Sequence, residues 1–336
     1  MSSPSLADHT GKVDLVLQGG GVKGISLVGA VNKLRETRYP HVQRVAGTSA
    51  GAIVASFIAA GMPPRQMEDV MRGLNYTRFE DGLLPRLGWP GKSVELLLHG
   101  GFYKTNFMHR WIANQLAACH VRTWGDLKYT DDGADTNLIP EQRYKLVVIV
   151  RDISRGRILR LPWDYKLLCD LDPDDLPVAD AVTASASIPF FFQAQRLVCG
   201  PALGNETLTL TDGGFPSHYP ITIFDRTDAQ ASRWPTLGIK LFTRQDQAAE
   251  WNAVSNPIDM LKRLLITMST AHDNANVTQR SVQDRTVFVE TSGISATDFT
   301  LDGATRDQLF NNGRAAATRF LSTWDWEPLE VGSPRR

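Results

Sequence analysis

The sequence predicts an α/β domain built on a parallel sheet with helices on its faces. Three observations carry this. Strand-length apolar runs alternate with helix-length amphipathic ones through the first sixty residues, in the order β-α-β-α. The first strand stops at a cluster of three glycines, as a tight strand-to-helix turn requires. With 336 residues, 42% of them hydrophobic, the chain is long enough to bury a large core.

Residues 13–18 (VDLVLQ) form the first strand. In residues 25–35, Ile25, Val28, Val31 and Leu34 recur at spacings of three, which gives a helix with one apolar face. Residues 41–47 read as a second strand, and residues 49–60, rich in small and apolar side chains, as a helix buried on most sides. A helix after Pro63 leads into a proline- and glycine-rich stretch. An amphipathic helix at 105–119 then starts behind a Thr/Asn cap. Residues 131–142 are polar and turn-rich, as in a surface insertion. Strands at 144–153 and 157–161 join at Arg155 and Gly156, and a small-residue helix at 178–187 is stopped by Pro189. Strands around 195–198, 207–211 and 236–242 follow. The chain continues with a long helix at 257–279, whose Ile258, Leu261, Leu264, Leu265 and Met268 face the core, a strand at 286–290 and a helix at 304–323. There is no internal repeat or linker. One domain is expected over residues 13–326, between a polar leader (1–12) and a polar tail (327–336).

Lys plus Arg (36) equals Asp plus Glu (36), so bulk charge calls for no nucleic-acid partner, and any membrane contact falls to apolar side chains. Cys119, Cys169 and Cys199 lack the spacing of a zinc site or a disulfide framework and suggest a reducing compartment. The polar N-terminus has no apolar segment of signal-peptide type. The longest nearly apolar stretch, 51–62, is shorter than the roughly 18 residues a membrane span needs. These features predict a soluble, cytoplasmic protein. The histidines are scattered and no carboxylate cluster accompanies them, so no metal or other cofactor is expected.

Three motifs carry chemistry. GGGVKG (Gly19, Gly20, Gly21, Val22, Lys23, Gly24) lies between the first strand and helix, where backbone N–H groups and the helix dipole favour an anion. It contains the dinucleotide pattern GxGxxG. However, the acidic residue which that pattern wants about 20 positions on is replaced by Val45, Ala46, Gly47 and Thr48 at the end of the second strand. GTSAG (Gly47, Thr48, Ser49, Ala50, Gly51) matches GxSxG with a strand before it and a small-residue helix after it, a turn that presents the Ser49 hydroxyl as a nucleophile. A hydroxyl needs a base and the developing oxyanion needs donors. Asp212, in TDGG at another strand end, is the candidate base, and the glycine loop supplies the donors.

Taken together and in this order, GGGVKG, GTSAG and DGG resemble the patatin-like phospholipase family. TWGDL (residues 123–127) and ASASIPFFF (residues 184–192) agree with the resemblance, which covers most of the chain. It implies a three-layer α/β/α fold with a mainly parallel central sheet, a Ser-Asp dyad without a third member, and hydrolysis of acyl esters in phospholipids and related lipids. Ser49 would be the nucleophile, Asp212 the base, and the N–H groups around Gly20 and Gly21 the oxyanion hole, with Lys23 at the family's basic position. The sequence departs from the family where DGGFPSHYP puts His218 in place of an asparagine. His218 either joins Asp212 as a third catalytic group or makes the asparagine's structural hydrogen bond, and the structural role is expected. Residues 82–103, with Leu83, Leu84, Leu87, Trp89 and Phe102, suit either a membrane-facing loop or a cap on the core. An acyltransferase on the same fold is the first alternative. A non-catalytic phosphate or nucleotide binder is the second, and it leaves GTSAG and DGG unexplained.

Overall fold

The computed structural model describes residues 11–79, 101–129, 140–214, 219–226, 232–242, 280–291, 293–296 and 298–326. The expected helix at 257–279, most of the apolar stretch 82–103, most of the insertion 131–142, His218 and the tail lie outside them. The chain forms β1 (Lys12–Leu17), α1 (Gly24–Thr37), β2 (His41–Thr48), α2 (Ala50–Ala59), α3 (Pro64–Arg72), β3 (Gly101–Tyr103) and α4 (Asn106–Ala118). It continues through β4 (Leu146–Asp152), β5 (Arg157–Leu161), α5 (Trp163–Cys169), α6 (Val178–Ala186), β6 (Phe190–Phe192), β7 (Gln195–Val198) and β8 (Thr207–Asp212). Last come β9 (Thr236–Phe242), a helical turn α7 (Arg280–Gln283), β10 (Thr286–Glu290) and α8 (Gly303–Thr323).

The central sheet runs β10-β9-β1-β2-β4-β8-β7, with β5 also paired to β4. It is mostly parallel: β10, β9, β1, β2 and β4 all pair in parallel. β5, β8 and β7 add antiparallel pairings at one side. The parallel strands read as continuous apolar runs because both faces are covered. Along β1, Val13, Leu15 and Leu17 enter one core and Val16 the other; along β4, Leu146, Val148 and Val150 enter the first and Val147 and Ile149 the second. Helices α1, α2, α6 and α8 supply the first core. Trp163 of α5, with Ile221, Phe224 and Val282, covers the second.

The register of β4 positions the site. Ile149 pairs with Thr48 of β2 and with Arg160 of β5, so β2 and β5 occupy opposite edges of β4. Val150 pairs with Asp212 of β8 and with Leu159 of β5, so β8 also lies opposite β5. Strands β2 and β8 therefore share one edge of β4 and meet end to end, Thr48 facing Ile149 and Asp212 facing the next residue.

Three features differ from the sequence expectation. Helix α5 was not expected: WDYKLLC is only seven residues long, too short for a helical period to stand out. The two-stranded sheet formed by β3 and β6 was not expected either, because each strand has three residues. Thr105 precedes α4 but makes no capping bond; its hydroxyl accepts a hydrogen bond from Gln195 Nε2 (3.0 Å) instead.

The first and last described helices pack closely because both carry glycine at the crossing. A Cβ at Gly313 of α8 would stand 2.0 Å from the Ser26 carbonyl oxygen of α1, a distance that forces the helices apart. On an isolated helix Gly→Ala gains about 1 kcal/mol, whereas overpacking costs about 1–3 kcal/mol. Gly313→Ala is therefore expected to lower the thermal unfolding midpoint, and a raised midpoint would refute this account of the crossing.

Candidate active site

Strand β2 ends at Thr48 and α2 begins at Ala50, which leaves Ser49 alone to reverse the chain. It does so with φ 56° and ψ −128°, a conformation that side-chain-bearing residues avoid and that costs about 1–3 kcal/mol. Its side chain does not cap α2. The side chain instead interacts with the Asp212 carboxylate, whose pKa it draws downward.

A short segment at the end of α6 fixes both partners. The Ser49 N–H donates to Ser185 Oγ (2.9 Å), and that hydroxyl donates to the Ile149 carbonyl (2.6 Å). Two residues on, the Ser187 carbonyl accepts the Asp212 N–H (2.9 Å). Ser185 and Ser187 are fully buried. Neither stood out in the sequence as a positioning residue, since both lie in a run of small residues that reads as close packing.

Asp212 is 5% exposed and Ser49 6%. Burial raises the Asp212 carboxyl to about 6, against the downward pull of the Ser49 hydrogen bond, the Gly214 N–H and the positive charge of Arg151. The Gly214 N–H donates to Oδ1 at 2.7 Å. Among the described residues no histidine bonds Asp212 or Ser49; His218 lies outside them.

The glycine loop runs from the end of β1 into a 3-10 turn (Gly21–Lys23) that continues as α1. Three of its N–H groups are engaged: Val22 with the Ala296 carbonyl, Lys23 with the Gly20 carbonyl, and Gly24 with the Gly21 carbonyl. Those of Gly20 and Gly21 have no acceptor among the described residues. Gly21 has φ 57°, and a Cβ there would lie 1.9 Å from the Ala296 carbonyl oxygen, so only glycine fits. Ala296 was not singled out in the sequence because it comes 275 residues after the loop it holds. The loop is adjacent to Ser49: a Cβ at Gly19 would stand 2.7 Å from the Ser49 Cβ.

An apolar pocket opens at Ser49 and Gly21, with about 480 Å³ of empty space including open solvent. Met71, Leu74, Phe79 and Trp111 line it, together with Ile188 and Phe192 from the ASASIPFFF stretch. Its shape and lining suit an apolar ligand segment. Among the described residues no group of three His, Cys, Asp or Glu side chains is placed to hold a metal, and no helix is long and apolar enough to cross a membrane.

The patatin-like phospholipase family model matches residues 15–225. The chain belongs to that family. It is 33% identical over 319 residues to YqhO, an uncharacterized protein of Bacillus subtilis (strain 168), covering 94% of this chain and 99% of that one. It is 22% identical over 321 residues to the uncharacterized protein R571 of Acanthamoeba polyphaga mimivirus, covering 93% and 94% of the two. Among solved structures, VipD from Legionella pneumophila superposes with a TM-score of 0.53 at 18% identity, over 93% of this chain and 67% of that one. That likeness shows the shared fold. Family membership makes the protein a hydrolase acting on lipids, and the non-catalytic phosphate-binding alternative falls.

Two outcomes follow from the geometry. The Asp212 carboxyl titrates near 6 in the folded protein against an ordinary 3.8, so between those values the folded state holds a proton that the unfolded state has lost. Its ionisation therefore opposes folding, with no penalty below about pH 4 and the full penalty, up to about 3 kcal/mol, above pH 6. Asp212→Asn is expected to be more stable than the parent at pH 8 and equal to it near pH 4 in denaturant titrations. A deficit at pH 8 would contradict the burial argument. Ser185→Ala leaves the Ser49 N–H and the Ile149 carbonyl unpaired, at a cost of about 1–3 kcal/mol. Both the denaturation midpoint and turnover should fall, and unchanged turnover would show that Ser185 does not position the nucleophile.

Proposed function

We propose that this enzyme is a serine lipid acyl hydrolase of the phospholipase A or lysophospholipase type, working through a Ser49-Asp212 dyad and an acyl-enzyme. The observation that carries the reading is the buried Asp212 carboxylate interacting with the Ser49 side chain at the mouth of an apolar pocket. A carboxylate is ordinarily too weak a base for a serine hydroxyl. One raised to about 6 is both ionised and usefully basic near neutral pH, with no imidazole between.

In the first half-reaction the acyl chain lies in the pocket and the ester carbonyl sits over Ser49. Ser49 Oγ attacks the carbonyl carbon while its proton passes to Asp212. Negative charge develops on the carbonyl oxygen, and the N–H groups of Gly20 and Gly21, without an acceptor among the described residues, supply donors there, each worth about 3 kcal/mol in such a role. The tetrahedral intermediate collapses, the C–O bond to the leaving alcohol breaks, and the alcohol takes the proton from Asp212. In the second half-reaction water attacks the acyl-Ser49 ester and gives its proton to Asp212. Collapse releases the fatty acid and returns that proton to Ser49 Oγ. The apolar lining supports an acyl chain as the recognised part of the substrate, and a peripheral contact with the lipid surface brings the two together.

Ser49→Ala is expected to keep the fold and lose several orders of magnitude in turnover of a soluble nitrophenyl ester. In the parent, turnover should rise with an acid limb centred near pH 6 as Asp212 ionises. His218→Asn should keep most of the activity and the same limb. Should His218→Asn fold but lose activity, with the limb gone, the enzyme is a Ser-His-Asp triad and the dyad is wrong.

A further inference from the structure

All three cysteines are free thiols. Cys169 ends α5 and Cys199 directly follows β7. They stand 30 positions apart in the chain, yet their backbones touch. The Gly200 N–H donates to the Cys169 carbonyl (2.7 Å), and a Cβ at Gly200 would stand 2.4 Å from the Asp170 carbonyl oxygen, so glycine is what lets the two segments approach this closely. The Arg155 guanidinium ties them together from the β4–β5 turn. It bonds the Leu168 carbonyl (3.3 Å) on one side and, on the other, the carboxylate of Glu206, whose own carbonyl accepts the Cys199 N–H (2.8 Å).

The side chains follow the backbones. Cys169 and Cys199 are both buried in the larger core, and the Cys169 thiol interacts with that of Cys199. A disulfide needs adjacent backbones with side chains turned toward each other, and this pair has both. Cys119, half-buried at the end of α4, has no such thiol neighbour among the described residues. The pair lies just below the surface: Leu167, two residues before Cys169, and Val198, directly before Cys199, are exposed, as is the turn 201–206 that follows. Burial pushes the Cys169 thiol up to about 12, against the pull of Arg155 and Arg157. Thiolate is therefore scarce, and the pair reacts slowly and with small reagents rather than with bulky ones.

We propose that Cys169 and Cys199 are a disulfide-forming pair, closed by a peroxide and reopened by a thiol. One sulfur attacks the peroxide oxygen, the O–O bond breaks, and a sulfenic acid forms as water leaves. The second thiol then attacks that sulfur, the S–O bond breaks, and its proton departs with the hydroxyl as a second water. Two thiols and one hydrogen peroxide give one disulfide and two waters, and the two electrons lost by sulfur are gained by the peroxide. The closed loop, residues 169–199, contains α6, whose Ser185 hydroxyl and the following Ser187 carbonyl hold the N–H groups of Ser49 and Asp212. A cross-link there removes conformations from the unfolded chain and staples the segment on which the site is built. None of this depends on which reaction the site performs.

The test treats the full folded chain with hydrogen peroxide, alkylates the remaining thiols in denaturant, and maps the non-reduced peptides by mass spectrometry. A linked Cys169–Cys199 peptide is expected, with Cys119 left to be alkylated, and dithiothreitol should return all three thiols. The thermal unfolding midpoint should rise by about 5 °C on oxidation and fall back on reduction. The decisive mapping needs no variant. Cys199→Ala and Cys199→Ser, treated in the same way, control for methionine oxidation and should show no rise. Both thiols still alkylatable after peroxide, Cys169 carried to a sulfinic acid with no linked peptide, or cross-links only between chains would each overturn the proposal. A linked peptide with an unchanged midpoint would overturn the staple.

Discussion

One edge of β4 holds two strands, and the site depends on that arrangement. Strand β2 uses the first half of the edge and runs with β4; β8 uses the second half and runs against it. Where they meet, a strand-to-helix turn and a strand-to-loop turn face each other across one residue of β4. Ser49 and Asp212 come from segments more than 160 residues apart, and neither is carried by a long loop. The sheet itself fixes where the two residues stand relative to each other.

The arrangement carries local costs that the frame offsets. Ser49 holds a strained backbone, and Asp212 holds a charge away from water. Both are tied by the same short segment, through the Ser185 hydroxyl and the Ser187 carbonyl, and that segment is anchored in the larger core. In the proposed mechanism the burial that weakens the fold at neutral pH is also what makes the carboxylate basic enough to act, so the two effects cannot be separated by substitution at Asp212.

Much of this was legible in the sequence. The alternation of elements gave the parallel half of the sheet. GTSAG and DGG pointed to Ser49 and Asp212 because glycines flank the first and follow the second at a strand end, and the ASASIPFFF stretch was expected beside the site. What could not be read depends on distance or on solvent. Ser185 looks like any small residue until its hydroxyl is seen between Ser49 and Ile149. Ala296 matters only because its carbonyl reaches the glycine loop. Helix α5 and the β3–β6 pair are too short to show a period. Leu167 and Val198 look like ordinary core residues in the sequence, since a pattern of apolar letters does not say which side faces water. The raised basicity of Asp212 was a requirement of the chemistry, and the buried position supplies it.

The glycine crossing of α1 and α8 bears on how the chain comes off the ribosome. Ser49 and Asp212 have both been made by residue 212, but the helix that covers α1 is not made until residues 303–323. At roughly 5–20 residues per second, the apolar flank of α1 waits on the order of tens of seconds for its partner. Helix α8 then ends this exposure when it docks on α1.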